Sequence, residues 1–481
     1  MKVLFVSPWL NAFLGNEKQS PSSPHLGLAY LIAILKQNGV NEIDVYDEGI
    51  ENDDEILLKK IDTLRPDIIG ITAFSFGYEN ARNLIKKIKE YTDVPIIIGG
   101  PHVSAVKGQV LTTSVADFAM KGESELSFIK FLTELSGSKN FKKVKNLIWR
   151  DSFSNIVENE NEPLIENIDE IPFPDYDIFS FERYNNFTIK LIPIITSRGC
   201  PYGCNYCSVK LSMGRGFRPR SPENVILEMK HWIKIYKIKK FGINDDCFNL
   251  DIKRAEKICD LIIKEGLDIT YGLYSGLRAD RVTEQLLQKM KESGCVFISY
   301  GCESGNQDII NNMGKSLKIG DVRKAVNLTN KFNISNSVNF IIGHKKETYK
   351  TAMDSINFAK TLPTNLINFY NLIPYPGTDL HEWISKNASY IIPSNDYLSK
   401  VGSSDLMPVF ETKEFPKKDR IKALKKGFAL SRKTLMQFKF GKIIGYIAYL
   451  ISLNNFLFSK GIKFIYNNRV GFFIYRHLSR R

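Results

Sequence analysis

The chain has 481 residues, 43% of them apolar, which excludes wholesale disorder and allows two to three domains with sizeable cores. A formal charge of +14 suggests a nucleic-acid binder until it is located: residues 413–481 hold seventeen Lys and Arg against two acids, so the tail alone accounts for the excess. Seven cysteines, an odd number scattered over a long chain, exclude a disulfide framework.

MKVLFVSPWL passes straight into a strand-like run rather than a secretory leader, so a cytoplasmic chain with reduced thiols is expected. Residues 1–137 alternate short apolar runs with amphipathic stretches. VLFVSP precedes HLGLAYLIAILKQNG, EIDVYD precedes DDEILLKKIDTLR, and DIIGITAF precedes ENARNLIKKIKEYT. PIIIGG and DFAMKG follow, the latter ahead of ESELSFIKFLTELSG. β-Branched runs alternating with 3.6-residue periodicity predict a five-stranded parallel sheet in a doubly wound, flavodoxin/Rossmann-like α/β domain. Any ligand of such a domain lies beyond the carboxyl ends of its strands.

Residues 138–188 are acidic, rich in Asn and Pro and weakly periodic, which predicts a linker with a small hairpin around LIWRDSFSNIVEN. Across 189–400 the alternation resumes as six strand–helix units, predicting a partial (β/α)6 barrel. Reacting groups of such barrels sit just after the strands, where SRGCPYGC, NDDC, YSGLR, GCESG and IPYPGT all fall. Residues 401–481 form a basic, amphipathic helical region. Its longest uncharged run, Ile443 to Ser459, is seventeen residues and includes Asn454 and Asn455, short of the roughly twenty needed to span a bilayer. Mixed Lys, Arg and aromatic residues suit peripheral contact with a membrane surface; a helical extension packed on the barrel is the alternative. No recognition motif supports nucleic-acid binding.

SRGCPYGCNYCS places Cys200, Cys204 and Cys207 in one loop with the spacing CxxxCxxC. Structural zinc normally takes four ligands, and a fourth would have to come from afar, with Cys247 and Cys302 both at strand ends. A redox pair at Cys204 and Cys207 leaves Cys200 unexplained. A [4Fe-4S] cluster held by three thiolates, with one iron open to a substrate or cofactor, fits the number and the spacing best.

With Tyr206 before the last cysteine, this motif resembles the signature of the radical S-adenosylmethionine (SAM) superfamily. TSRGCPYGCNYC is similar to the form in its subgroup with an amino-terminal cobalamin (B12)-binding domain. The resemblance covers about residues 1–400 and extends to GLAYLIAIL, IIIGGPH, IPFPDYD, RPRSPENV, INDDCF, GCESG, FIIGHKKET and NLIPYPGTDL. It implies that SAM chelates the open iron and that one electron, from a donor such as flavodoxin or ferredoxin, cleaves it to a 5′-deoxyadenosyl radical. By the same resemblance the backbone near Tyr206 borders the adenine and Glu303 contacts the ribose, or else pairs with a nearby cation. Asn244, Asp245 and Asp246 replace an element that binds the SAM amino group, with a helix cap as the alternative. Arg278 meets the SAM carboxylate or forms a salt bridge.

Two departures stand out. His344, Lys345 and Lys346 follow Gly343 where the family has a Pro-Gly turn, placing either a cation near the substrate or a solvated loop. Cys302 beside the ribose motif is either reactive or packed. In the first domain only His25 and His102 are histidines, and neither sits in DxHxxG, so no cobalt-ligating histidine is expected. Gly99 and Gly100 match the close-approach glycines for the cobalamin nucleotide tail, and Thr72 and Ser75 its hydroxyl partners. The resemblance thus implies a cobalamin-dependent methyltransferase acting on an unactivated carbon of a small-molecule or lipid-linked substrate. A radical SAM oxidative cyclase or mutase, and a non-catalytic cobalamin or redox sensor, are the alternatives.

Overall fold

The computed structural model describes residues 1–9, 23–185 and 191–453. Five parallel strands build the first sheet: β1 (Lys2–Ser7), β2 (Glu42–Asp47), β3 (Ile68–Thr72), β4 (Ile96–Gly99) and β5 (Phe118–Met120). Helices cover both faces, so the central strands read as unbroken apolar runs; all five residues of IIGIT in β3 are buried. The hairpin expected in the linker belongs to this sheet. β6 (Leu147–Arg150) pairs antiparallel with β5, and β7 (Ile156–Glu158) with β6, giving the order β2-β1-β3-β4-β5-β6-β7. The acidic composition of that stretch concealed a β edge that is itself half in solvent.

The second sheet is parallel throughout and sequential: β8 (Ile192–Ile194), then, past a short antiparallel pair β9 (Ser197–Arg198) and β10 (Arg218–Pro219), β11 (Lys240–Ile243), β12 (Thr270–Leu277), β13 (Cys295–Glu303), β14 (Ser335–Ile342) and β15 (Leu366–Asn371). β8 and β15 form the two ends of a six-stranded open barrel. An open parallel edge leaves N–H groups to satisfy. On β15 they are met by the helix Lys417–Phe440 of the basic tail and by the segment before it. Ile367 N donates to Thr434 Oγ1 at 3.1 Å, Phe369 N to Ser431 Oγ at 2.8 Å, and Asn371 N to the Ser403 carbonyl at 2.7 Å.

The same helix reaches the loop after β14. Arg420 is buried with its guanidinium 4.2 Å from the Phe410 ring centre, donating to the carbonyls of Gly343 and Phe415 at 2.9 Å each. Glu347 accepts from Gly343 N and His344 N on one oxygen, at 2.5 and 3.0 Å. The helix Lys442–Ser452 follows and exposes Ile443, Ile447, Leu450 and Ile451. Among the described residues no helix is long and apolar enough to cross a membrane. Residues 454–481, on which much of the membrane-surface expectation falls, lie outside the described residues.

Burial raises the Glu347 carboxyl to about 7, and the loop amides and Arg420 only partly oppose it. An acid with a raised folded pKa binds its proton more tightly folded than unfolded, so it favours the fold fully at low pH and loses that contribution as pH rises to about 7. Thermal unfolding from pH 5 to 8 is therefore expected to show a decline for the native chain that Glu347→Gln, which keeps the acceptor oxygen, removes. Parallel profiles for the two proteins would contradict the assignment.

Candidate functional site

The chain leaves β8 into a turn that one carboxylate holds. Asp245, just beyond β11, accepts from Thr196 N (2.6 Å), Thr196 Oγ1 (2.5 Å) and Ser197 Oγ (2.6 Å), and Arg254 donates to the Thr196 carbonyl. Asp246 accepts from Gly199 N at 3.0 Å. Gly199 has φ +82°, and a Cβ there would stand 2.1 Å from the Gly216 carbonyl oxygen, so only glycine can start this loop. Asn244 is exposed and donates its N–H to the Ile194 carbonyl. Both acids, expected as cofactor contacts or helix caps, brace the backbone that carries the cysteines.

The loop is then pinned at Asn205. Its N–H donates to the Met313 carbonyl, its side-chain amide to that of Asn312, and its carbonyl accepts from Leu380 N. Tyr202 lies 3.5 Å beneath the Arg278 guanidinium and accepts from Arg281 Nε at 2.8 Å. Four N–H groups of Arg278 are committed, two to Asp280 and two to the carbonyls of Lys315 and Ser316. Arg278 thus clamps the loop. Cys200, Cys204 and Cys207 are free, half-buried thiols; burial raises Cys204, and Cys207 to about 11. Three thiols presented by a braced loop fit a cluster that keeps one iron open.

Beside them the strand end of β13 supplies a buried pair. Glu303 takes φ +67°, uncommon for a non-glycine residue and costing about 1–3 kcal/mol where it occurs. Its carboxylate meets Lys315 Nζ at 2.7 Å, and that ammonium lies 3.5 Å from the Tyr206 hydroxyl. Lys315 is a residue the sequence analysis missed. The only signal was a Gly-Lys step closing the helix Gln307–Met313. The departing loop is not a cation at its first position. His344 is buried, its Nε2 is 3.0 Å from Asn205 Oδ1, and burial lowers its pKa to about 4, so it is neutral near pH 7. Its ring meets Tyr206 edge-on at 6.3 Å. Cys302 is packed, with Sγ directed at the Ser304 carbonyl.

A cavity of about 280 Å³ opens at the carboxyl edge of the first sheet. Thr72, Gly99, Gly100, His25 and Phe74 form one wall, and Ile195, Arg198, Ser212 and Met213 of the barrel form the other. Gly100 has φ +103°, and a Cβ would meet the Ala73 carbonyl at 2.8 Å. Ser75, expected with them, instead lies 3.1 Å from His102 Nδ1. His25 Nδ1 accepts from Leu28 N at 3.1 Å as the cap of the helix Leu26–Gln37, which places its hydrogen on Nε2, 3.4 Å from Thr72 Oγ1. Neither nitrogen offers a free lone pair to the cavity. A largely apolar chamber with backbone edges and a few hydroxyls, Thr72, Ser124 and Ser212 among them, fits a corrinoid held without a histidine ligand.

Buried charges lock the two walls together. Arg198 meets Glu125 at 2.7 Å and Glu123 at 3.5 Å, while Arg218 grips Glu123 with both terminal nitrogens at 2.5 and 2.8 Å. Removing one partner strands a buried charge, so Arg198→Met is expected to cost about 3–5 kcal/mol in urea unfolding. A loss under about 1 kcal/mol would show that the pair is surface-like.

A model of the radical SAM superfamily matches residues 194–359, and one of the B12 binding domain matches 20–132. An uncharacterised methyltransferase of Pyrococcus horikoshii is 33% identical over 89% of this chain and 92% of its own. The anaerobic magnesium-protoporphyrin IX monomethyl ester cyclase of Rubrivivax gelatinosus is 26% identical over 79% of this chain and 70% of its own. Among solved structures, the cobalamin-dependent SAM radical enzyme OxsB, with aqua-cobalamin and SAM bound, aligns with a TM-score of 0.72 at 17% identity, covering 98% of this chain and 74% of that one.

Proposed function

The chain belongs to the radical SAM family with an amino-terminal B12-binding domain, and from that premise we propose that it is a cobalamin-dependent methyltransferase acting on an unactivated carbon. One observation carries the reading. The barrel wall of the cavity is built from residues flanking the cysteine loop, Arg198 before Cys200 and Ser212 and Met213 after Cys207. A group seated on the first sheet would therefore lie against the two ends of the loop that carries the cysteines.

When bound, the cluster and SAM supply the 5′-deoxyadenosyl radical, and cobalamin supplies a transferable methyl group. The chain's own residues hold and orient. Cys200, Cys204 and Cys207 bind the cluster, and Asp245 and Asp246 fix the turn that presents them. Glu303, neutralised by Lys315, receives the ribose hydroxyls, and Tyr206 with the buried edge of His344 borders the adenine and keeps water out. Thr72, Gly99 and Gly100 take the corrinoid tail. A flavodoxin- or ferredoxin-like donor supplies electrons. The exposed apolar face of Lys442–Ser452, beside a basic helix, favours a lipid-linked substrate reached at a membrane surface. A cyclase reading draws on the Rubrivivax relative and differs in yielding no methylated product.

Anaerobic reconstitution with iron, sulfide and hydroxocobalamin is expected to give about one corrinoid per four-iron cluster and SAM-dependent 5′-deoxyadenosine. Cys204→Ala should lose the cluster and keep the corrinoid. A wild-type chain with a cluster but no corrinoid would remove methylcobalamin chemistry. Lys315→Met is expected to weaken SAM binding about tenfold, the cost of a buried carboxylate left unpaired, at unchanged iron content; unchanged SAM affinity would free Glu303 from that role.

A further inference from the structure

The barrel strands turn alternate side chains in two directions. One set, including Ile298, Tyr300, Val338, Phe340, Ile367 and Phe369, is buried against the surrounding helices. The other set faces the interior, which bulky branched side chains fill in a closed β/α barrel. Here that interior is built differently. On β11, β12 and β13 it presents Gly242, Gly272 and Gly301, the first two directly opposite each other. Gly301 makes room at the rim, because a Cβ there would stand 2.4 Å from Glu303 Oε1 and 3.0 Å from Lys315 Nζ. Gly272 makes room for Tyr274, whose ring a Cβ would meet at 2.9 Å. That ring stacks on Phe297 with centres 5.5 Å apart, and Tyr274 is 45% exposed, so the interior is open rather than filled.

Across β13, β14 and β15 the same face carries a ladder of uncharged hydrogen-bonding groups. Ser299 lies in register with Ser337, and Asn339 with Asn368. Ser299 Oγ accepts from Ser337 Oγ at 2.8 Å and from Asn339 Nδ2 at 2.9 Å, and Asn339 Oδ1 accepts from Asn368 Nδ2 at 2.9 Å. The ladder ends unsaturated. Asn368 keeps its Oδ1 and one Nδ2 hydrogen without a partner among the described residues. Tyr370, two residues further along β15, shares its face. On these three strands the only charged side chain of that face is Glu303 at the rim, which Lys315 neutralises.

We propose that Asn368, oriented by Asn339, determines substrate specificity by holding in the barrel interior a neutral, flat group with an amide-type edge, such as a carboxamide or a nucleobase ring. The N–H of such an edge donates to Asn368 Oδ1 and its carbonyl accepts the spare Nδ2 hydrogen, a reciprocal pair that asparagine makes with planar amides and bases. Tyr274 and Phe297 offer the aromatic faces that flat rings pack against. A carboxylate or phosphate in the same place would be buried without a counter-charge. The inference rests on the radical SAM reading, which puts SAM at the Glu303 end of this face, and it names the class of substrate beneath.

The test is equilibrium dialysis of the full chain, reconstituted anaerobically with iron, sulfide and hydroxocobalamin and saturated with SAM. The probes are two matched pairs, nicotinamide with nicotinate and uracil with orotate, in which the second member carries a carboxylate. The neutral member of each pair should bind about tenfold more tightly than the anionic one. Asn368→Leu, similar in size but without an amide, should lose about tenfold in affinity for the neutral probes at unchanged iron and corrinoid content. If that variant fails to fold, the preference of the native chain within each pair still decides. Retention of neither neutral probe, equal retention of neutral and anionic members, or unchanged affinity in Asn368→Leu would overturn the proposal. A native chain that takes up no cluster would instead overturn the radical SAM reading on which it rests.

Discussion

The carboxylate of Asp245 is the point on which both halves of the molecule turn. Its two oxygens are occupied by Thr196 N, Thr196 Oγ1 and Ser197 Oγ, short bonds of the charge-assisted kind. The turn they shape sends the chain in two functional directions within four residues. Arg198 goes to the first domain, and Gly199 and Cys200 open the cysteine loop. Neither could be placed without the other, because the same backbone atoms fix both.

The interface that Arg198 enters is unusual in its balance. Two arginines and two glutamates sit almost without solvent beside an otherwise apolar chamber. Buried ion pairs contribute little net stability, since desolvation offsets the attraction, but a mismatched partner is heavily penalised. Such a set of charges fixes the docking register of the first sheet on the barrel. The glutamates flank the amino-terminal end of the helix Glu125–Ser136, where negative charge is favoured.

An open barrel needs its last strand covered, and here the basic tail begins as that cover. Thr434 and Ser431 reach β15 from one helical face, and Arg420, about three helical turns earlier, extends the contact to the loop beside Tyr206. In the helix Lys417–Phe440 the cations Lys417, Lys418, Lys422, Lys425 and Lys426 are exposed, while Arg420, Ala423 and Leu424 are buried and structural. A change in this helix is therefore coupled through Gly343 and His344 to the edge of the site.

The sequence by itself determined what is local. The two alternating α/β regions follow from hydrophobic period, and the three cysteines form a set because only three and two residues of loop separate them whatever surrounds them. Glu303 could be singled out because GCESG resembles the ribose motif of the radical SAM superfamily. What Asp245, Asp246 and Arg278 do could not be read, since an acid or a guanidinium at a strand end can face a ligand or a neighbouring loop with the same sequence. Lys315 gave almost no signal for the same reason: it matters through a partner across an intervening helix, Glu303 twelve residues back. Hydrophobic period is written in consecutive residues, whereas the partner of a buried polar group is chosen only when the strand ends come together. That choice belongs to the tertiary structure.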